Sequence, residues 1–290
     1  MSTLSMTGFG RGSAETGGFR AEAELSSVNR KQFDCAVSLP AGLSGLEEKC
    51  RRLGATGMTR GHAQLAVRVE ARTGDVAVDA EFVRNRVATL RAIAAAAGVP
   101  AEISLADLAR MPDVLSAVSS FPRPDDAWPA VEAAVSAAVA SHRAMREREG
   151  AALRRDLEGR VAALRTLRDR IAARAPLVPA AYRDALARRV AELGSPLSPD
   201  DPALAREIAL FADRCDVSEE LTRLAAHLDH ALALFEAPEP AGRKLDFLAQ
   251  EMHRESNTIG SKANDAAISS AVIEAKALVE TFREQVQNLE

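Results

Sequence analysis

No two cysteines in this chain are spaced to form a zinc knuckle, and no stretch is apolar enough to cross a bilayer. Cys35, Cys50 and Cys215 are scattered, with no CxxC pair. That odd, widely spaced set argues against a disulfide framework or a structural zinc site, and a reducing cytoplasm is its simple reading. The longest apolar-rich stretch, residues 93–97, falls far short of the roughly 20 residues a spanning helix needs. The N-terminus has no basic segment followed by an apolar run, so neither a signal peptide nor a membrane partner is expected. Repeats and low-complexity tracts are missing as well. So are several catalytic signatures. There is no HExxH. The Gly260-Ser261-Lys262 triplet lacks the earlier glycine of a Walker loop, which rejects an ATP site. Gly8-Phe9-Gly10 precedes no helix and is no nucleotide fingerprint. No Ser-His-Asp or Cys-His set can be assembled, and His142 and His230 sit singly, as structural residues do.

Aromatics are only 4% of the 290 residues, whereas apolar residues reach 47%, so the chain is globular, with one large or two modest domains. Ala and Leu are strong helix formers, and a helix-rich fold follows. Net charge is −4, so any basic surface must be local. Residues 1–72 carry ten basic against seven acidic side chains, a weak local bias that suits a nucleic-acid face without requiring one.

The pattern predicts an α+β fold: a small, mostly antiparallel N-terminal sheet with helices, a long helical middle segment and an all-helical C-terminal domain. The segments are 1–124, 125–200 and 201–290. Residues 19–28 alternate apolar and polar, and Gly17-Gly18 before them suits a hairpin with residues 6–14. Residues 32–39 form a third strand with Phe33, Cys35, Val37 and Leu39 on one face. Residues 62–72 form a fourth, with Leu65, Val67 and Val69 inward. A helix over residues 43–53 packs on this sheet. A second helix starts at Asp75 or Asp79 and runs to Ala97, burying Phe82, Val83, Val87, Leu90 and Ile93. Ser104 caps a short one. Residues 111–112 and 122–124 read as loops. Residues 125–173 read as one very long helix, stopped by Pro176 and Pro179. A helix over 182–193 and a loop over 194–199 follow. Residues 203–235 make one long helix or two close ones, and residues 266–288 make the last, after a Pro-rich break at 237–240.

Two helical stretches carry the chemistry. Residues 242–264, GRKLDFLAQEMHRESNTIGSKAN, place Leu245, Leu248 and Met252 on a buried stripe. Glu251 and Glu255, four apart, share another face. This helix should end near Ser256-Asn257, with a turn at Gly260. Upstream, Asp213, Glu220 and His227 recur every seven residues and should share a face. Glu220, His227, Glu251 and Glu255, presented from adjoining helices, could hold Mn²⁺ or Mg²⁺, which take carboxylate and imidazole ligands. The alternative stays open: solvated faces neutralised by the interleaved Arg206, Arg214, Arg223 and Arg254. A second set is basic and polar: Arg11, then Asn29, Arg30 and Lys31, then Arg60 before Gly61-His62. These lie at strand ends or turns, where side chains can meet phosphates; ordinary turn chemistry is the other reading. Residues 256–262, read as an interhelical loop, could hold a phosphate at the next helix N-terminus beside Lys262, or simply cap it.

Three runs then carry a resemblance: SMTGFGR at residues 5–11, GRKLDFLAQEMHRESNTIGSKAND at 242–265 and REQVQNLE at 283–290. Together with the run from Arg214 to His227, they resemble the YicC family of bacterial endoribonucleases over nearly the whole chain. The resemblance implies a metal-dependent endoribonuclease assembled as a ring-like homo-oligomer, a hexamer. The chain departs from the family pattern at His253, where Asn is usual, and at Arg30-Lys31, where His-Arg is commoner. A catalytic duty for that missing histidine would put activity in question; a phosphate-binding duty is one Arg30 can fill. The combined expectation is a cytoplasmic enzyme cutting single-stranded or structured RNA. Glu220, His227, Glu251 and Glu255 hold the ion and act in catalysis. Arg11, Asn29, Arg30, Arg60 and Lys262 hold RNA. The alternatives are a non-catalytic RNA-binding ring that delivers RNA to a partner ribonuclease, and a purely structural helical assembly.

Overall fold

The structure is a computed structural model that describes residues 3–30, 32–71, 80–100, 102–111, 123–192, 201–237 and 241–290. The expected helix start at Asp75 or Asp79, Lys31, and all or part of the loops over 111–112, 122–124, 194–199 and 237–240 lie outside these residues. By packing, the chain falls into two units: residues 8–144, and residues 1–7 with 145–290.

In the first unit, β1 (Gly8–Thr16), β2 (Phe19–Val28), β3 (Asp34–Ser38) and β4 (His62–Ala71) form one sheet in the order β1-β2-β4-β3. The expected hairpin is present, closing at Thr16↔Phe19. Gly17 and Gly18 both have positive φ (63° and 82°), which the tight right-twisted turn requires. Only β3 and β4 run parallel. Alternation does what it predicts on one face. Ala21, Ala23, Leu25, Ala63, Leu65 and Val67 are buried against Leu46 and Cys50, and against the helix residues Ala130, Ala134 and Ala138. Leu46 closes a 3₁₀ turn that leads into α1 (Glu47–Gly54), and the alanines belong to α4 (Pro124–Arg174). Small residues let the backbones meet: a Cβ at Gly10 or Gly12 would strike the carbonyl oxygens of Ala138 or Ala134.

Two apolar expectations fail here. Phe33 precedes the β3 ladder and is exposed, because pairing starts only at Asp34. The second helix, α2 (Ala80–Ala97), forms, but none of its residues is buried, and Ile93 is 59% exposed. Its periodicity made a helix without a covering partner among the described residues. The short α3 (Leu105–Ala109) has the expected Ser104 cap, completed as a capping box by Asp107.

α4 is a single 51-residue helix. In the second unit its residues Leu157, Val161, Leu164, Leu167 and Ile171 join a core with the helices that follow. Those are α5 (Val178–Glu192), α6 (Pro202–Cys215), α7 (Ser218–Glu236), α8 (Gly242–Lys262) and α9 (Ala266–Val286). Proline does not delay α5 until residue 182, because Pro179 sits in its first turn, where the missing N–H is harmless. The two ends of the chain are tied together. Ser5 bridges Leu289, and buried Arg146 donates to the Ser5 carbonyl at 2.6 Å while pairing with Glu290. No described helix is long and apolar enough to cross a membrane.

Candidate functional site

The chain breaks between α6 and α7 because Asp216 turns extended and its carboxylate accepts from Ser218 N at 2.9 Å. Asp213 is therefore on a different helix from Glu220 and His227, and the expected shared face of three is two. α7 keeps Glu220, Arg223 and His227 on one face, while Leu221, Leu224 and Leu228 are buried.

α8 runs on through Lys262, so the expected loop over residues 256–262 is the last two turns of a helix. Its hydroxyls bond back inside that helix: Ser256 Oγ donates to Met252 O at 2.8 Å and Thr258 Oγ1 to Arg254 O at 3.2 Å. Gly260 is a packing residue rather than a turn, since a Cβ there would lie 3.1 Å from Val272 Cγ1. The reversal is made by Asn264 at φ 40° and by Asp265, which caps α9. Asp265 and its partner Arg174 fill that helix N-terminus, in keeping with the capping alternative rather than the phosphate one.

His227, Glu251 and Glu255 come together, with one ligand atom from each lying within 4.8 Å of the others. His227 and Glu251 are half-buried and Glu255 is buried. Glu255 Oε1 accepts from Arg223 Nε at 2.8 Å, and its Oε2 is buried with no hydrogen-bond partner. A buried carboxylate oxygen left bare is costly, and a bound cation, like an ordered water, removes the cost. One imidazole and two carboxylates suit Mn²⁺ or Mg²⁺, so the residues present fit such an ion.

Glu220 also has a buried Oε2 with no hydrogen-bond partner, but its Oε1 is held by two cations. It is buried, with Lys262 Nζ 2.8 Å and Arg223 3.6 Å from Oε1. Burial pushes its pKa up, but the Lys262 hydrogen bond and the two nearby cations outweigh that and hold it below the usual range. The structure thus brings three of the four expected acidic-site residues together, and puts Glu220 and Lys262 in the ion-pair network behind them. Sequence reading took Arg223 as a neutralising charge. Its spacing of three and four from Glu220 and Glu219 was the available signal for the network it holds.

Arg11, Asn29, Arg30 and Arg60 belong to the first unit and Lys262 to the second. The Val28↔His62 pairing brings the end of β2, with Asn29 and Arg30 following, beside the Arg60-Gly61 turn. Gly61 has φ 102°, and a Cβ there would lie 2.9 Å from Val28 O. Arg60 Nε is buried without a hydrogen-bond partner. Arg30 is exposed. Arg11 pairs with Glu24 at 3.0 Å and its guanidinium lies 5.3 Å from the centre of the exposed Phe9 ring. His142 is buried and bonded to Ser27 Oγ at 2.8 Å. The three thiols are free, and burial raises each, Cys50 to about 11, which disfavours thiolate chemistry.

Residues 4–155 match the family model described as the N-terminal region of endoribonuclease YicC-like proteins, and residues 171–290 match the C-terminal one. A protein of Clostridioides difficile (strain 630) named probable endoribonuclease YicC is 33% identical over 292 residues, covering 99% of each chain. One of the same name from Haemophilus influenzae (strain Rd) is 32% identical over 289 residues, again covering 99% of each. With two family models spanning almost its entire length, and relatives aligned end to end, this chain belongs to the YicC-like endoribonuclease family.

Proposed function

We propose that this chain is a divalent-metal-dependent endoribonuclease that cuts single-stranded or structured RNA. The observation that carries the reading is the convergence of His227, Glu251 and Glu255, with Glu255 Oε2 buried and unpartnered. His227, Glu251 and Glu255 would hold Mn²⁺ or Mg²⁺. When bound, such an ion supplies Lewis-acid chemistry, drawing charge from a phosphodiester oxygen and making water or a hydroxyl a better nucleophile near neutral pH. Glu251 and His227 are open enough to meet substrate, whereas Glu255 is held from behind by Arg223. Arg11, Asn29, Arg30 and Arg60 are offered as backbone contacts for RNA. Lys262 joins them only if it leaves Glu220, so its first duty is to that carboxylate.

A cytoplasmic setting belongs to the same proposal, supported by three unpaired thiols. So does a homo-oligomer, the hexamer the family resemblance implies. α2, none of whose residues is buried by the described residues, is offered as its surface, and light scattering of the purified protein tests it.

The deciding experiment incubates purified protein with a labelled hairpin RNA in EDTA or Mn²⁺, with Glu251→Gln alongside. Cleavage should require Mn²⁺. The variant should lose at least about a hundredfold in rate, roughly 2.7 kcal/mol of transition-state stabilisation, while still binding RNA. Unchanged cleavage by Glu251→Gln removes the site assignment. RNA bound but never cut in Mn²⁺ replaces the enzyme with a non-catalytic ring that passes RNA to another nuclease.

A further inference from the structure

Arg223 is gripped by three carboxylates from two helices. Its Nε donates to Glu255 Oε1 at 2.8 Å, one terminal nitrogen pairs with exposed Glu219, and the other lies 3.6 Å from Glu220 Oε1. Glu220 is held from its far side by Lys262 Nζ at 2.8 Å. A planar guanidinium held at three points has little freedom left, which a single ammonium could not reproduce. Glu220 and Glu255 are both buried, but Glu220 keeps Lys262 if Arg223 is lost, whereas Glu255 would be left uncompensated. The consequence falls on Glu255. Oε1 is committed to Arg223, and only Oε2 stays free.

We propose, resting on the metal-site reading above, that Arg223 is a positioning residue: it holds Glu255 by Oε1 so that Oε2 alone is offered to a cation shared with His227 and Glu251, and the Lys262–Glu220 pair holds Arg223 in turn. The sign of its removal separates this from a simple charge effect. A positive charge beside a cation site repels the ion, so if charge were all that mattered, deleting it would tighten binding. Deleting a group that orients a ligand weakens binding, by about 10- to 100-fold where such partners have been removed behind metal ligands.

The test is Mn²⁺ binding to the full chain by calorimetry and electron paramagnetic resonance, for wild type, Glu251→Gln, Arg223→Gln, Arg223→Lys and Glu220→Gln. Unfolding midpoints in EDTA identify variants that fold. Arg223→Gln should bind Mn²⁺ at least about tenfold more weakly than wild type. Arg223→Lys, which keeps the charge and covers the case of a misfolded glutamine variant, should recover little of that loss. Glu220→Gln should weaken binding by a smaller factor. Binding by Arg223→Gln as tight as wild type, or tighter, overturns the inference while Glu251→Gln still defines the site. Wild type that takes up no Mn²⁺, or Glu251→Gln that binds like wild type, overturns the metal reading and this inference with it.

Discussion

Arg146 shows what one buried charge does for this chain. Its side chain is 3% exposed, and it joins the Ser5 carbonyl to the Glu290 carboxylate. Arg146→Ala would remove the buried charge that bridges Ser5 and Glu290, and about 3–5 kcal/mol of stability should be lost, read as a lower urea midpoint. The glycines make a sharper contrast. Gly10→Ala drives a methyl into the Ala138 carbonyl and should cost about 1–3 kcal/mol. Gly159→Ala meets nothing within 4 Å on an exposed stretch of α4, and should stabilise by roughly 0.8–1 kcal/mol. Equal effects in the two variants, measured by chemical denaturation, would show that Gly10 is no close-approach site. A lone glycine in the sequence reads alike in both places; only the α4 backbone packed against Gly10 distinguishes them.

Asp265 does for α9 what Arg146 does for the termini. Its carboxylate accepts from Ala267 N and Ile268 N, and Arg174 donates to its other oxygen at 2.8 Å. The Arg174 hydrogen bond leads the effects that hold its pKa below the usual range, against an opposing push from burial. A folded pKa lowered in this way contributes stability above the unfolded value of about 3.9, and the contribution disappears as pH falls through the folded value. Asp265→Ala should therefore cost about 1–2 kcal/mol at neutral pH. The gap from wild type should close as thermal unfolding is followed downward from pH 4. The boundary between α8 and α9 was the poorest expectation from sequence. Ser256, Asn257, Thr258 and Gly260 look like breakers, and local propensity ends the helix there. Burial of Ile259 and the contact of Gly260 with Val272 reward the helical state instead, and tertiary packing overrides the weak local preference. Where local chemistry was decisive, as at Gly17-Gly18 and Ser104, the sequence reading stood.

Binding at the His227–Glu251–Glu255 cluster should be visible in the behaviour of the entire chain. Mn²⁺ binds the native state and not a cluster that unfolding scatters, so excess metal should raise the thermal midpoint. The gain is about 2.7 kcal/mol at a hundredfold excess over Kd. His227→Ala and Glu251→Gln should show no such shift, and EDTA should return wild type to the metal-free midpoint. Family membership, the sheet, the long helix and the pairing of Glu251 with Glu255 on one face were all legible in one dimension. Each follows from motif identity or from the 2.0- and 3.6-residue periods of the backbone. Periodicity ranks side chains around a single axis, but it does not say which face of one helix meets which face of another. Packing of Leu224 and Leu228 with Leu245, Leu248 and Met252 chose that rotation. It left His227 with Glu251 and Glu255, and gave Glu220 to Lys262 and Arg223. The acidic residues were available in the sequence, but their division between a cation site and the ion pairs behind it is a property of two helices docked in one register.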